Sequence, residues 1–491
     1  MERKPVNFIK SILIYISRSK LSVVGGILLS VLTPVLLVCI LIDIKGTVQN
    51  PYFGFLIYLI LGPLFLLGLI LLIIGLFMSR GKEDIGLFTF EYIAEQLARP
   101  GRYIRIRRHL LLSLLITLTT LFLVAFVSYT GYHYSESTAF CGQSCHQVME
   151  PAYATYRNSP HSRISCVECH IGEHAQWLTK AKFSGARQIF AVLFDTYPRP
   201  LPQPITSLRP VRETCEECHR PEMFHGDKLY IKDRFLPDEL NTHVQTVLLM
   251  KIGSGGYQGR QAHGIHWHVA EDHQVFYKHT DQAQEEIVQV WLQDEGQEIH
   301  YFKKPDNNEA MGAPLLAMAR KMDCMDCHNR PTHIFRSADE ALDEKMITGA
   351  IPPEVPFIKR QALALITAPY ETSDAALQSV SRGLKEWYAA NYPDFTGARK
   401  PLLDQAIAGV QQAYRENVFP EMHIGWDTYK NFIGHKNGTG CFRCHDGRHV
   451  SQNGQIISRD CNCCHIVLAE NEPAPDVLHL LKQALADKQQ P

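Results

Sequence analysis

Six copies of one short pattern, two cysteines followed at once by a histidine, constrain this chain more than any other feature. Five copies read C-x-x-C-H, and the first, CGQSCH, has three residues between its cysteines. The pairs use twelve of the fourteen cysteines. They are Cys141/Cys145, Cys166/Cys169, Cys215/Cys218, Cys324/Cys327, Cys441/Cys444 and Cys461/Cys464, followed by His146, His170, His219, His328, His445 and His465. Any fold for this chain must be built around what these groups bind.

The pattern is the attachment signature of c-type haem, in which two thiols add to the porphyrin vinyl groups and the adjacent histidine becomes the first axial ligand of the iron. Zinc would need four ligands gathered from two paired knuckles, and a thioredoxin-like C-x-x-C would occur once. In CGQSCH the thiols at i and i+4 share one face of a slightly unwound helical turn, although a disulfide or free thiol pair is the alternative there. The sequence predicts six covalently attached haems c.

Three apolar runs precede the first motif: Leu21 to Ile44, Phe53 to Met78, and Leu110 to Tyr129. Each is long enough to cross the ~30 Å hydrocarbon core, and the first is too long for a cleavable signal peptide. Lysines and arginines crowd the N-terminus and the second connecting loop, whereas the first loop has only Lys45. The positive-inside rule therefore predicts a multi-pass protein of the bacterial cytoplasmic (inner) membrane with its haem domain on the periplasmic face.

The predicted fold class is a membrane-anchored multihaem cytochrome c, with three N-terminal transmembrane helices and then a mainly α/irregular, haem-packed domain with a small β element. Alternation over Gln274 to Lys303 predicts that β element, and a helical period recurs between prolines from Ser337 to Asn417. The expected divisions are a three-helix anchor at 1–134, a three-haem domain at 135–222, a mixed segment with the fourth haem at 223–336, a helical haem-free segment at 337–420, and a two-haem module with a tail helix at 421–491.

A second axial ligand, usually His or Met, closes each iron to substrates. His266 and His268 alternate around Trp267, and in a strand they would share one face and serve two neighbouring haems. Met149, three residues after His146, is either an axial thioether for the first iron or a core methionine. The other predicted ligands are His161, His333, His435 and His449, and their pairing with the motifs stays open.

The membrane helix and the motifs in residues 109–220, which read CGQSCHQVMEPAYATYRNSPH, CVECHIGEHAQWLTKAKF and RPVRETCEECH, resemble the membrane-anchored quinol dehydrogenases of the NapC/NirT/NrfH family. The stretches FPEMHIGWDTYKNFIGHKNGTGCFRCHDGRH and DCNCCH resemble its extended members, such as inner-membrane cytochromes of metal-reducing bacteria. The resemblance implies electron transfer from membrane quinol through haems to periplasmic reductases or cytochromes. Usual members have one anchor helix, four haems and two spacer residues in the first motif.

The resulting hypothesis is an enzyme of the quinol dehydrogenase type, which oxidises menaquinol beside the Cys141/Cys145 haem. Glu150 and Asp195 are the proposed acids or bases, and Lys180 and Lys182 either contact the quinol oxygens or extend to the membrane surface. A non-catalytic electron-transfer subunit and a multihaem terminal reductase are the alternatives. Expected partners are the lipid bilayer, membrane quinol and a periplasmic cytochrome or reductase; a membrane complex or homo-oligomer stays open, and the net charge of −1 gives no sign of nucleic acid.

Overall fold

The computed structural model describes most of the chain and divides it into two compact units, Met1–Gln147 and Val148–Pro491. The described residues are 16, 19–44, 53, 56–78, 103–144, 146–172, 184–185, 187–203, 210–220, 226–253, 262–271, 273–281, 283–294, 297–304, 319–435 and 440–487.

Three long apolar helices make up the first unit, as predicted. They are α1 (Lys20–Ile44), α2 (Gly62–Met78), which a π-helical turn at Leu56–Leu61 extends at its start, and α3 (Tyr103–Ser135). Spans of 22 to 23 residues in these helices are apolar enough to cross a membrane.

Small residues bring α1 and α2 into close contact. A Cβ atom at Gly75 would lie 2.3 Å from the Ser22 hydroxyl, and one at Gly25 would lie 2.4 Å from the Leu72 backbone nitrogen. Such positions allow two helix backbones to approach in lipid, where association depends on packing rather than on exclusion of water. The first two membrane helices therefore form a tightly packed hairpin.

The irregular first motif begins in a π-helical turn, Phe140–Ser144, which contains Cys141. A π-turn closes its hydrogen bonds one residue later than an α-helix and so accommodates one inserted residue. The Tyr134 hydroxyl lies 3.2 Å from the Ser144 hydroxyl, which ties this turn to the end of α3. Helix α4 (His146–Arg157) then starts at the motif histidine, whereas Cys145 lies outside the described residues. The third spacer residue thus falls where the backbone is wound more widely.

Two antiparallel sheets and several short helical turns form much of the second unit. Helix α5 covers Cys166–His170, and α6 covers Val211–Cys215. The first sheet has the order β1-β2-β8 and the second β6-β3-β4-β5-β7. The strands are β1 (Lys228–Phe235), β2 (His243–Met250), β3 (His273–His279), β4 (Ile287–Asp294), β5 (Gln297–Lys303), β6 (Arg320–Lys321), β7 (His449–Ser451) and β8 (His465–Glu472).

The predicted β element from Gln274 to Lys303 is confirmed as strands β3 to β5. Buried and partly exposed side chains alternate along β3, with Val275 and Tyr277 buried, because successive side chains in a strand point to opposite faces. The first sheet is a feature that the sequence pattern did not predict. Its last strand, β8, begins at His465 and pairs with β2.

The helical segment consists of α7 (Ala338–Ile347), α8 (Ile358–Ile366), α9 (Ser373–Asn391) and α10 (Lys400–Arg415), and the tail helix is α11 (Asp476–Asp487). Ser337 and Thr372 accept backbone hydrogen bonds as N-caps of α7 and α9. Pro401 lies in the first turn of α10, and the other five prolines of this segment fall between the α-helices; in both places a missing N–H costs no helical hydrogen bond. These five are Pro352, Pro353, Pro356, Pro369 and Pro393.

A buried lysine joins the helical segment to the first sheet. The fully buried Lys359 ammonium donates to the Asp343 carboxylate at 2.5 Å and to the Phe235 carbonyl of β1 at 2.6 Å. Beside it, the Asn241 amide donates to the Pro353 and Val355 carbonyls. The helices therefore support β1 and β2, and through them the strand that starts at His465.

We expect Lys359→Met to lower the free energy of unfolding by about 3–5 kcal/mol, because it leaves the Asp343 carboxylate buried without its cation. Lys400→Met removes the exposed pair with Asp404 and should cost no more than about 0.5 kcal/mol. Denaturant titration followed by circular dichroism, in detergent, measures both. Equal losses would mean that the buried pair contributes no more than the exposed one.

Candidate haem-binding sites

Several cysteine motifs of the second unit close a single helical turn. The amide of the motif histidine donates to the carbonyl of the first motif cysteine in three copies, at 2.8 Å for His219 and His328 and 3.0 Å for His445. Asp323 and Asp460 precede the first cysteines of their motifs, and their carboxylates cap these turns. A local turn therefore gathers the two sulfurs and the histidine that one haem requires.

The side chains of the motif cysteines differ in their exposure. Cys218 of the third motif is exposed, as are Cys169 and Cys461, whereas Cys215 is partly buried. The Cys218 amide donates to the Cys215 carbonyl at 3.2 Å, so Cys218 belongs to the turn that follows α6. The turn holds its backbone, but its side chain is on the surface of the unit. Attachment of a haem to Cys218 therefore remains a prediction from the motif.

A second histidine from elsewhere in the chain faces the histidine of each of four motifs. Two imidazoles bound to opposite sides of one metal have ring centroids about 6 Å apart, because each nitrogen lies about 2 Å from the metal. The four centroid separations match this value, so the residues fit a six-coordinate haem. They are 5.9 Å for His161 and His219, 6.2 Å for His333 and His170, 5.8 Å for His268 and His445, and 6.2 Å for His435 and His465.

His266 is the candidate partner for the histidine of the fourth motif. Burial is the main cause that lowers its pKa, and the nearby His328 lowers it further. Burial also lowers the pKa of His333, to about 4, and that of His268. These histidines are therefore neutral at neutral pH, as an iron ligand must be.

Hydrogen bonds orient several of these rings for metal binding. The Nδ1 atoms of His161, His268 and His333 lie 3.1, 2.8 and 2.8 Å from the carbonyls of Pro331, Ile265 and Ala152. Donation of an Nδ1 proton to a carbonyl selects the tautomer whose Nε2 lone pair is free for a metal.

His449 has a different environment from the other predicted ligands. It is fully buried, and its Nδ1 lies 3.0 Å from Asp446 Oδ1 while its Nε2 lies 3.1 Å from the Ile287 carbonyl. Both ring nitrogens therefore have oxygen partners in the protein. We leave His449 out of the proposed ligand set and assign it a structural role between β7 and β4.

The expected strand around His266 and His268 is wrong, since Ile265–Val269 forms a 3₁₀ turn. With three residues per turn, residues two apart point about 120° from each other rather than to the same side. This geometry still directs the two rings to two motifs, His266 to that of His328 and His268 to that of His445.

The residues predicted around the first haem are only partly described. Met149 is partly buried in α4 and Glu150 is exposed there, whereas Cys145, Lys180 and Lys182 lie outside the described residues, as does the side chain of His146. Asp195 is exposed, has a left-handed backbone with φ of 52°, and forms a 2.5 Å ion pair with Arg199. Their roles at a quinol site remain predictions.

Cysteines of successive motifs in the second unit lie close to one another. A hydrogen bond from the Cys215 thiol to the Cys324 sulfur is the main cause that raises the pKa of Cys215, so these two sulfurs are neighbours. Electrostatic interactions mark the other neighbours, which are Cys169 with Cys215, Cys327 with Cys441, and Cys441 with Cys464. The second to sixth motifs therefore follow each other in space in their order along the chain.

Two functional candidates were missed from the sequence. Asp326 in CMDCH and Arg443 in CFRCH, each the second spacer residue of its motif, are almost fully buried. The sequence contained a signal for both residues, because any charged residue between two haem-binding cysteines must lie close to the haem.

Comparison with known proteins gives this site its family context. A model of the NapC/NirT cytochrome c family, N-terminal region, matches residues 105–200. The cytochrome c-type protein ImcH of Geobacter sulfurreducens is 37% identical over 455 residues, which are 92% of this chain and 88% of ImcH. This chain belongs to the NapC/NirT family of membrane multihaem cytochromes. As a c-type cytochrome of this family it carries covalently bound haem and takes part in electron transport at a membrane.

A second relative matches a much shorter stretch of the chain. The cytochrome c-type protein NrfH of Wolinella succinogenes is 39% identical over 80 residues, which are 16% of this cytochrome and 44% of NrfH. No solved structure matches the chain.

We expect His268→Ala and His449→Ala to have different effects on the irons. Removal of His268 should leave one haem equivalent five-coordinate, high-spin and able to bind carbon monoxide, because the ring facing His445 is lost. Removal of His449 should leave ligation unchanged. Spectra of the reduced protein with and without carbon monoxide, at equal haem content, measure this. Gas binding by the His449 variant alone would reverse the assignment.

Proposed function

We propose that this cytochrome oxidises menaquinol at the outer face of the bacterial inner membrane and passes the electrons along six haems to a periplasmic acceptor in anaerobic respiration. The single observation that carries the proposal is the row of motifs, in which cysteines of successive motifs are neighbours from Cys169 to Cys464. Each haem, when bound, supplies an iron that accepts and releases one electron.

The paired histidines favour a relay over a terminal reductase. A reductase needs one iron with an open position for its substrate. In the described part of the second unit, four of the five regular motifs have a second imidazole about 6 Å from their own, and His266 lies near His328 of the remaining motif. With both axial positions taken, these sites suit electron transfer and exclude substrates.

An apolar surface near Asp195 suits contact with the membrane. Phe190, Leu193 and Phe194 are 62%, 70% and 71% exposed, and the two phenylalanine rings are stacked. They lie on and just after the helical residues 187–193, within the region that the family model matches. Exposed aromatic and aliphatic side chains on a short helix are typical of a segment that lies in the lipid interface. Such a segment would hold Asp195 at the level where quinol leaves the bilayer.

Asp195 is our proposed proton acceptor for quinol. Its side chain is 67% exposed, so a proton it receives can pass to water. Arg199 donates to both Asp195 and the Tyr197 hydroxyl, which fixes the carboxylate. Oxidation of a quinol releases two protons with two electrons, so a second acceptor is needed, and Glu150 on α4 is the candidate. Lys180 and Lys182 complete the proposal as partners of the quinol oxygens.

Six covalent haems are expected in the intact mass of the denatured protein, because thioether bonds survive unfolding. The double variant Cys141→Ser/Cys145→Ser should lose the mass of one haem, since its first site has neither attachment sulfur. Cys463→Ser should lose none, because Cys463 belongs to no motif. Five haems in the unmodified chain would remove the first motif from the path.

A menaquinol analogue added to the purified protein should reduce its haems rapidly. His146→Ala should abolish this reduction, and Asp195→Asn should slow it by at least about tenfold if the carboxylate is the base. His465→Ala should leave reduction by quinol intact and block transfer to a soluble cytochrome. Stopped-flow absorbance measures each step, and dithionite reduction confirms that the haems are present.

Two other results would contradict the proposed direction of electron flow or the proposed quinol oxidation. Loss of quinol reactivity in the His465 variant alone would reverse the direction of electron flow. An unmodified protein that dithionite reduces but quinol does not would be an electron-transfer subunit that receives electrons from a partner in the membrane.

A further inference from the structure

A buried charge network lies between the fourth and fifth motifs. The Asp326 carboxylate is fully buried and accepts hydrogen bonds from the Tyr277 hydroxyl at 2.6 Å, Arg320 Nε at 2.8 Å and the Asp323 amide at 2.6 Å. The Arg320 guanidinium also pairs with the Asp323 carboxylate at 3.0 Å, so these two carboxylates share one cation.

Arg443 in the next motif has only uncharged partners. It is 6% exposed, and its guanidinium donates to the main-chain carbonyls of Gly440, Gln284 and Asp326. The group also lies 3.9 Å from the centre of the Phe432 ring. Within the described residues, no carboxylate lies at ion-pair distance from it. Because arginine keeps its proton in proteins, Arg443 is a buried positive charge without a directly paired anion.

This charge lies beside two different motifs. Arg443 stands between Cys441 and Cys444 of the fifth motif, and its guanidinium donates to the carbonyl of Asp326, which stands between Cys324 and Cys327 of the fourth. Haems attached to these two motifs would therefore both have Arg443 as a neighbour.

We propose that the positive charge of Arg443 raises the reduction potentials of both the Cys324/Cys327 haem and the Cys441/Cys444 haem. A fixed cation in a low-dielectric interior favours the state with one more electron, because solvent screens it little. Net charge, burial and nearby hydrogen-bond donors are the means by which proteins set haem potentials. The inference rests on the proposed chain of haems and adds that this charge holds the fourth and fifth haems at a higher potential than they would have without it.

Raised potentials at two neighbouring haems would serve the proposed function. Quinol oxidation delivers electrons in pairs, and two such haems would accept both electrons and slow their return to the quinol site.

Arg443→Gln in the full-length holoprotein tests this directly. The change removes the charge but keeps a polar side chain, and two haem equivalents should titrate at lower potential while the others stay in place. Arg443→Lys should restore most of the original titration because it keeps the charge. Arg459→Gln is the control, since this exposed arginine lies near the same motif, over the Phe442 ring, and its charge is screened by water. Spectroelectrochemical titration with soluble mediators measures all four proteins.

A second variant leaves Arg443 in place. Gln284→Glu puts a carboxylate on the residue whose carbonyl accepts from Arg443, and it should shift the same two haems in the same direction. This variant decides the question if Arg443→Gln fails to assemble with haem. The proposal is wrong if neither variant moves a potential, if all haems shift alike, or if the Lys and Gln variants behave identically. Because mediators deliver the electrons, failure of the quinol proposal does not alter these outcomes.

Discussion

The structure depends on one constraint, that two imidazoles must face each other about 6 Å apart across one iron. Each regular motif supplies the first ring from a local turn, but the second comes from a remote segment. His170 faces His333, and His435 faces His465, so a haem bound by each pair would join segments that are separated in the sequence by other elements of the fold. Ligation of each iron therefore closes a loop, and haem attachment and folding are coupled.

The effect of a buried charge in this protein depends on whether haem motifs lie beside it. In the haem-free helices, the Lys359 ammonium and the Asp343 carboxylate lie 2.5 Å apart and neutralise each other, which suits a structural contact. Beside the fourth motif, Asp323 and Asp326 share the Arg320 guanidinium, whereas Arg443 donates its hydrogen bonds to main-chain carbonyls. A cation in this position has an electrostatic effect on whatever the neighbouring cysteines hold. In both segments the low dielectric of the interior strengthens the electrostatic interaction. At Lys359 this stabilises the fold, and at Arg443 it would raise haem reduction potentials.

Several features of the chain suit contact with lipid rather than with water. Gly25 and Gly75 let the first two helices touch along their backbones, and the π-turn after α3 absorbs the extra residue of the first motif. In the second unit, Phe190 and Phe194 keep large apolar surfaces exposed, which is unfavourable in water and favourable at a lipid interface. These features belong together in a family of membrane cytochromes.

The sequence by itself determined what depends on neighbours along the chain. Haem attachment needs only two thiols and a histidine within one turn, membrane helices need only a long apolar run, and α7 to α10 lie between prolines that no helix interior accepts. Only the tertiary structure decided which distant histidine meets which motif. The sequence alone does not distinguish the surroundings of His161 from those of His449. Hydrogen bonds made the difference: His161 has one carbonyl at Nδ1, whereas both nitrogens of His449 have oxygen partners. The 3₁₀ turn at Ile265–Val269 and the unpaired charge of Arg443 arise in the same way, from contacts between segments far apart in the chain.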